Sequence, residues 1–256
     1  MQAMSGSAWG AGMADARYAR QLLLPEIGEA GQAALADSRV GLIGCGGLGT
    51  LAAGYLAGAG VGRLHLADGD RVELSNLHRQ LLYTEADIGQ PKATALAAAL
   101  QARNPMVVVH THAALEGDAA PDWWRECDLI LDCSDNFPTR YRINSLCART
   151  RRPLLSAAAI GLGGQLLSLR PGHKANACYH CVFPDQEDFP EGERCSEAGV
   201  LGPSVGLMAS LQATQAITIL LGRGQFDRIW RWEAADLSLR CSTLAADPAC
   251  RVCAAS

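Results

Sequence analysis

Two CxxC pairs, Cys178-Tyr179-His180-Cys181 and Cys250-Arg251-Val252-Cys253, place four thiol ligands in the pattern of a closed tetrahedral zinc site. The stretch between them is longer than in a zinc ribbon. A metal held there would staple an internal segment to the C-terminus instead of organising a finger. The alternative is two redox or incidental CxxC pairs. Cys45, Cys127, Cys133, Cys147 and Cys241 read as small buried or incidental thiols without assigned chemistry.

A second constellation begins at Gly44-Cys45-Gly46-Gly47-Leu48-Gly49, a GxGxxG turn. Without Cβ atoms a backbone can approach phosphate closely, and the N–H groups that open the next helix face the anion. Tight strand–helix packing is the competing explanation of the same glycines. Asp68 stands where a carboxylate can accept from ribose hydroxyls, or else is a turn residue of Asp68-Gly69-Asp70. Up to this point a dinucleotide and a triphosphate fit equally. Arg79, in Ser75-Asn76-Leu77-His78-Arg79-Gln80, and Lys92, in Gln90-Pro91-Lys92, favour the triphosphate. Phosphoryl and nucleotidyl transfer need cations on the equatorial oxygens and on the leaving pyrophosphate. Asp135, in Asp132-Cys133-Ser134-Asp135-Asn136, is a candidate Mg²⁺ ligand, with a helix N-cap as the equal alternative.

These residues need a scaffold that brings strand ends together. Arg39 to Ile43 reads as a strand, the turn follows, and Leu48 to Ala59 has helical character. Gly62 to Ala67, Met106 to Thr111 and Asp128 to Asp132 read as further strands, with helices over Pro91 to Arg103 and Phe137 to Cys147. This alternation predicts a mainly parallel sheet covered on both faces. Beyond Pro153, Leu154 to Ala157, Gly164 to Leu169 and Phe226 to Glu233 are strand candidates with no helix between the first two, which implies an antiparallel extension. Pro171 to Pro203 is a long irregular crossover, and Ser204 to Leu221 an apolar helical stretch. The expected fold class is therefore α/β, a Rossmann-like, mainly parallel sheet extended by antiparallel strands, with a zinc-stapled crossover and C-terminus.

The 256 residues, 49% of them hydrophobic, suffice for one domain with a large core. We expect a loose N-terminal arm over 1–14 and a single domain over 15–256. Its nucleotide-binding half spans about 38–150 and its crossover and partner-binding half about 151–256. The net charge of −4 gives no basic excess for a nucleic-acid backbone. No stretch reads as a membrane span, and the start lacks the pattern of a secretory signal, so a cytoplasmic protein is expected. Ten cysteines in such a chain point to metal or thiol chemistry before disulfides.

Taken in order, the motifs resemble the ThiF/MoeB family of sulfur-carrier adenylyltransferases, relatives of the adenylation domain of ubiquitin-activating enzymes. The resemblance runs from about Arg17 to Cys253. It is carried by Arg17-Tyr18-Ala19-Arg20-Gln21, the glycine turn, Asp68-Gly69-Asp70, Ser75 to Gln80, Gln90-Pro91-Lys92, Asp132 to Asn136, Ala158 to Gln165 and Cys195 to Pro203. It implies that Gly47, Asp68, Asn76, Arg79, Lys92 and Asp135 contact ATP or its Mg²⁺, with Gly44, Gly46, Ser75 and Asn136 completing the nucleotide-binding set. It also implies structural Zn²⁺ at Cys178, Cys181, Cys250 and Cys253. Arg20 would reach into the partner subunit's site, which implies a homodimer. Cys195 stands where some members use a cysteine for covalent sulfur transfer or conjugation. His78 departs from the Gln that these families commonly carry and adds a pH-sensitive neighbour.

The implied reaction is attack by a carrier's C-terminal carboxylate on the α-phosphorus of ATP, giving a carrier acyl-adenylate and pyrophosphate. The nucleophile is already ionised at pH 7, so alignment and cation placement replace a general base. Ala159 to Gln165 resembles the branch acting on the thiamine carrier, ThiS, more than the branch acting on the molybdopterin carrier, MoaD. The carrier is expected to be small and ubiquitin-like, and the sulfur donor a separate protein, since no sulfurtransferase-like extension follows Cys253. An NAD-dependent oxidoreductase is the remote alternative, with no evident hydride-transfer acid. A non-catalytic carrier-binding module is a third possibility, opposed by the intact Arg79, Lys92 and Asp135.

Overall fold

The structure is a computed structural model that describes residues 16–173, 175–184 and 199–253. The expected N-terminal arm and Cys195 lie outside the described residues. A helix at 16–22 (α1) and Gly28–Asp37 (α2) precede the sheet. The strands are Arg39–Ile43 (β1), Arg63–Ala67 (β2), Val108–His112 (β3), Leu129–Asp132 (β4), Leu154–Ile160 (β5), Gly163–Leu169 (β6), Arg228–Glu233 (β7) and Ser238–Thr243 (β8). Gly47–Ala59 (α3), Lys92–Arg103 (α4), Phe137–Thr150 (α5), Tyr179–Val182 (α6) and Gly202–Leu220 (α7) are the remaining α-helices among the described residues.

All eight strands form one sheet in the order β3-β2-β1-β4-β5-β6-β7-β8. From β3 to β5 every pairing is parallel, and from β5 to β8 every pairing is antiparallel. The strand order reverses between β1 and β4, and the crevice outside their carboxyl ends is where open α/β sheets bind ligands. Each face of the sheet carries a core. One joins Leu48, Leu56 and Leu96 of α3 and α4 to Met208 and Ala216 of α7. The other joins Ile143 and Leu146 of α5 to Trp124 and Tyr179.

The expected α/β architecture and the antiparallel extension are present, with element ends displaced by one to three residues. Helices α1, α2 and α6 and strand β8 are new, and α2 and β8 show why. Helix α2 contains two glycines and fully buries only Leu35. Strand β8 is an almost wholly exposed edge with no apolar run. Neither presents the periodicity from which an element is read. The crossover returns to the sheet at the β5–β6 hairpin tip, where Gly161 N–H donates to Gly199 O at 2.8 Å and Leu201 N–H donates to Gly161 O at 3.0 Å.

At the β2–β3 edge the rings of His65, His110, His112 and Trp123 stack. His65 Nδ1 lies 3.0 Å from His112 Nε2. Burial, then the neighbouring His110 and His112 and the cations of Arg63 and Arg39, draws His65 down from 6.5 to about 4. The unfolded chain therefore binds this proton at higher pH than the folded one. The associated stability is intact above about pH 6.5 and declines as pH falls towards 4. The urea midpoint should drop between pH 7.5 and 5 by the equivalent of about 1 kcal/mol, allowing for screening at the sheet edge. His65→Gln should flatten that dependence, and an unchanged pH profile in that variant would refute the assignment.

Candidate functional site

Strand β1 delivers its last residue into the glycine turn. Gly44 has φ +94°, and a Cβ there would lie 2.7 Å from Cys133 O, in the loop after β4. A Cβ on Gly49 would lie 1.9 Å from Gly44 O. These two glycines thus serve the packing of the turn against its own helix and against the β4 loop. Gly47 is hemmed in by Val205 of α7 and by Arg79 O. Gly46 is different. Its Cβ position meets only Gln80 Nε2, at 3.6 Å. Gly46 caps α3 with no side-chain hydrogen bond, and the first-turn N–H groups have no intrahelical acceptors. Open backbone at a helix N-terminus is what an anionic group needs for close approach.

Asp68, at the end of β2, holds this turn. Its Oδ2 accepts from Cys45 N–H at 2.6 Å and its Oδ1 from Asp70 N–H at 2.7 Å. Burial raises its carboxyl pKa against the opposing pull of those bonds and of Lys92. Lys92, the first residue of α4, is 8% exposed and places Nζ 2.8 Å from Asp70 Oδ2. Tyr83 ties the two segments together, its hydroxyl lying 2.8 Å from Cys45 O and 3.0 Å from Lys92 O. Lys92 is thus fixed beside the turn through the acidic loop.

Residues 75–80 pass over the mouth of the turn. Arg79 Cγ lies 3.4 Å from the Cβ position of Gly47, and its Nη1 donates to Ser75 O at 3.2 Å and lies 2.7 Å from His78 Nε2. Asn76 Oδ1 and Gln80 Oε1 are buried with no hydrogen-bond partner among the described residues. Asn76 Nδ2 reaches only Ser75 Oγ, at 3.3 Å. A buried acceptor without a donor is costly, so two of them in one segment, one of them on Gln80 beside Gly46, fit a polar ligand carrying hydroxyl or amino donors. Gln80, 2% exposed, is a candidate that the sequence reading did not single out, because a glutamine facing a cleft looks like any surface glutamine until the chain is folded.

The loop after β4 forms the other wall. Asp132 is buried, its Oδ1 accepting from Ser134 N–H and Oγ–H at 3.0 and 2.6 Å and its Oδ2 from Ser156 Oγ–H at 2.6 Å. That leaves Asp135 exposed at the loop crest. The N-cap alternative for Asp135 is overturned: Asn136 caps α5, its Oδ1 accepting from Thr139 N–H at 2.9 Å. That bond commits the Asn136 oxygen to the helix, and its Nδ2 lies 3.4 Å from Asp135 Oδ1. The glycine turn, Asp68, residues 75–80, Lys92 and the Asp135 loop therefore meet around one crevice at the carboxyl edge of β1, β2 and β4. Arg20 does not join them. It is exposed on α1, whose neighbours Tyr18 and Gln21 contact Gly60 and Ala59 at the far end of α3. A 13-residue helix separates those ends by about 20 Å.

The four cysteines form a second centre. Cys178 Sγ is 3.8 Å from Cys181 Sγ and 3.6 Å from Cys250 Sγ, and Cys181 Sγ is 3.4 Å from Cys253 Sγ. Tetrahedral Zn–S bonds of about 2.3 Å place sulfurs about 3.8 Å apart, and all four sulfurs lie within 4.8 Å of one another. Burial raises the Cys178 thiol to about 11. At Cys250 burial is outweighed by the backbone N–H groups of Cys253 and Val252, and the thiol falls to about 6. The set can hold zinc. No helix among the described residues is long and apolar enough to cross a membrane.

The chain is 48% identical over 207 residues to the sulfur carrier protein ThiS adenylyltransferase of Escherichia coli K12, covering 80% of this chain and 81% of that protein. It is 46% identical over 208 residues to the adenylyltransferase and sulfurtransferase MOCS3 of Danio rerio, covering 81% of this chain but only 45% of that longer relative. A crystal structure of E. coli MccB superposes with a TM-score of 0.78 at 23% identity, covering 93% of this chain and 74% of that one, a likeness of fold. The family model for the ThiF family matches residues 18–252, and the chain belongs to that family.

Proposed function

We propose that this protein uses ATP to adenylate the C-terminal carboxylate of a small ubiquitin-like sulfur-carrier protein, ThiS-like in preference to MoaD-like. The observation that carries the reading is the mouth of the glycine turn. Open backbone at Gly46 adjoins Gln80, whose buried amide oxygen, like that of Asn76 in the same segment, has no donor among the described residues, and Arg79 and Lys92 supply cationic side chains. The preference for a ThiS-like carrier is supported by the named activity of the E. coli relative.

In the reaction a carrier carboxylate oxygen attacks the α-phosphorus and the bond to the β-phosphate oxygen breaks. The products are acyl-adenylate and pyrophosphate, with no proton transferred. The N–H groups opening α3 bind phosphate oxygens, while Asn76 and Gln80 offer acceptors to nucleoside hydroxyl or amino groups. Asp68 keeps the turn in shape and offers its remaining lone pairs to the ribose. Arg79 and Lys92 neutralise charge that develops on the departing pyrophosphate, Lys92 exchanging Asp70 for phosphate. A magnesium ion bound with the triphosphate would be held by Asp135 and would offset phosphate charge. Arg20, on the opposite end of its own chain's α3, acts on the site of a second copy in a homodimer. Cys195 remains a candidate for a covalent step with the carrier, and sulfur comes from a separate donor protein.

Mass spectrometry of ThiS-like and MoaD-like carriers incubated with the protein and Mg-ATP should reveal one added AMP, faster on the ThiS-like carrier. No adduct on either carrier would discredit the reading. Asp135→Ala should lower kcat for carrier-dependent pyrophosphate exchange at least about a hundredfold with thermal stability retained; full activity would reject the role. Cys178→Ser should lose bound zinc and melt lower by about 5 °C or more, checked by metal analysis and calorimetry.

A further inference from the structure

Asn136 caps helix α5, and Arg140 and Asn144, one turn apart, lie along one face of it. At its N-terminal end Asn136 caps the helix beside Asp135. In the middle the buried Arg140 donates from Nη2 to Ser134 O at 2.5 Å and to Ala157 O at 3.1 Å, and from Nη1 to Ser156 Oγ at 3.4 Å. Through Ser156 it adjoins the Asp132 carboxylate that also holds Ser134. One turn further, Asn144 Oδ1 accepts from the backbone N–H of Tyr179 at 2.8 Å, one residue past the ligand Cys178. Asn144 is fully buried, and its Nδ2, next to the Cys178 thiol, has no hydrogen-bond partner among the described residues. A metal-bound thiolate is the acceptor that this donor lacks.

We propose that α5 is a strut through which the four-cysteine centre fixes the loop bearing Asp135, with Arg140 and Asn144 as positioning residues. The chemistry is consistent along its length. A guanidinium bridging the carbonyls of Ser134 and Ala157 sets the distance between the β4 loop and β5, and its own position is set by the helix that Asn144 pins to the knuckle. Loss of the metal lets the Cys178–Cys181 turn move, frees Asn144 and loosens Ser134 and Asp135. The kinetic part of this proposal rests on the adenylation reading; the structural part does not.

The test is backbone hydrogen exchange on the zinc-loaded full chain, before and after chelation. Residues 133–137 should exchange about tenfold faster without zinc, together with the Tyr179 amide. In Asn144→Leu the loop should already exchange faster and respond little to chelation. In Arg140→Lys, which keeps the buried charge but cannot bridge both carbonyls, the same loosening should occur with zinc fully bound. Both variants should lower kcat for pyrophosphate exchange about tenfold with the KM for ATP within about twofold, as expected for misplacement of a transition-state group. Unchanged exchange at 133–137 on chelation, or wild-type protection of the loop in Arg140→Lys, overturns the strut. Absence of any carrier adenylation by the wild-type protein would instead sink the functional reading, leaving the exchange result to decide the strut. Should Asn144→Leu fail to fold, Arg140→Lys carries the decision.

Discussion

A single carboxylate holds the nucleotide half of the crevice in shape. Asp68 binds the amide of Cys45 with one oxygen and the amide of Asp70 with the other, so the turn leaving β1 and the loop leaving β2 cannot move apart. Lys92 reaches the same acidic loop, and Tyr83 joins the turn to the start of α4. Two backbone N–H bonds and a nearby ammonium offset part of the cost of burying this carboxylate, though burial still holds its pKa above the usual value.

The antiparallel half supplies the opposite constraint. Helix α7 lies over β5 and β6 and against α3, and its buried Gln212 donates from Nε2 to Asp132 O and Leu155 O while its Oε1 accepts from the Cys133 thiol. The loop after β4 is thereby held from α7 on one face of the sheet and from Arg140 on the other. A buried polar side chain of this kind is tolerable only when its hydrogen bonds are met, and here they are met by two carbonyls and a thiol at the ends of β4 and β5. The loop before Asp135 is thus tied to both halves of the sheet.

The division of labour among the glycines follows from the same geometry. Gly44 and Gly49 are needed because backbone oxygens occupy the space a side chain would take, whereas Gly46 faces open space. The packing explanation of the GxGxxG pattern therefore holds at Gly44 and Gly49, and Gly46 leaves the room that an anion's approach would need. The turn and Asp68 alone leave the dinucleotide and triphosphate readings equal, and the adenylyltransferase activity named for the E. coli relative favours the triphosphate.

Much of this was legible in the chain itself. The parallel sheet followed from apolar runs such as Leu129 to Leu131 alternating with helical stretches, and the cysteine centre from the spacing of two CxxC pairs, because local periodicity and short ligand spacing are properties of neighbouring residues. Strand β8 and helix α2 were not, since an exposed edge and a glycine-containing helix gain their order from what they pack against. The same holds for the site. Residue types marked Arg79, Lys92 and Asp135, but only the folded chain gave the N-cap to Asn136, set Arg20 at the far end of α3, and exposed the unmet acceptors of Asn76 and Gln80. Hydrogen-bond satisfaction is settled between segments far apart in sequence, so tertiary structure alone decides which polar side chains are consumed by the fold and which are left for a ligand.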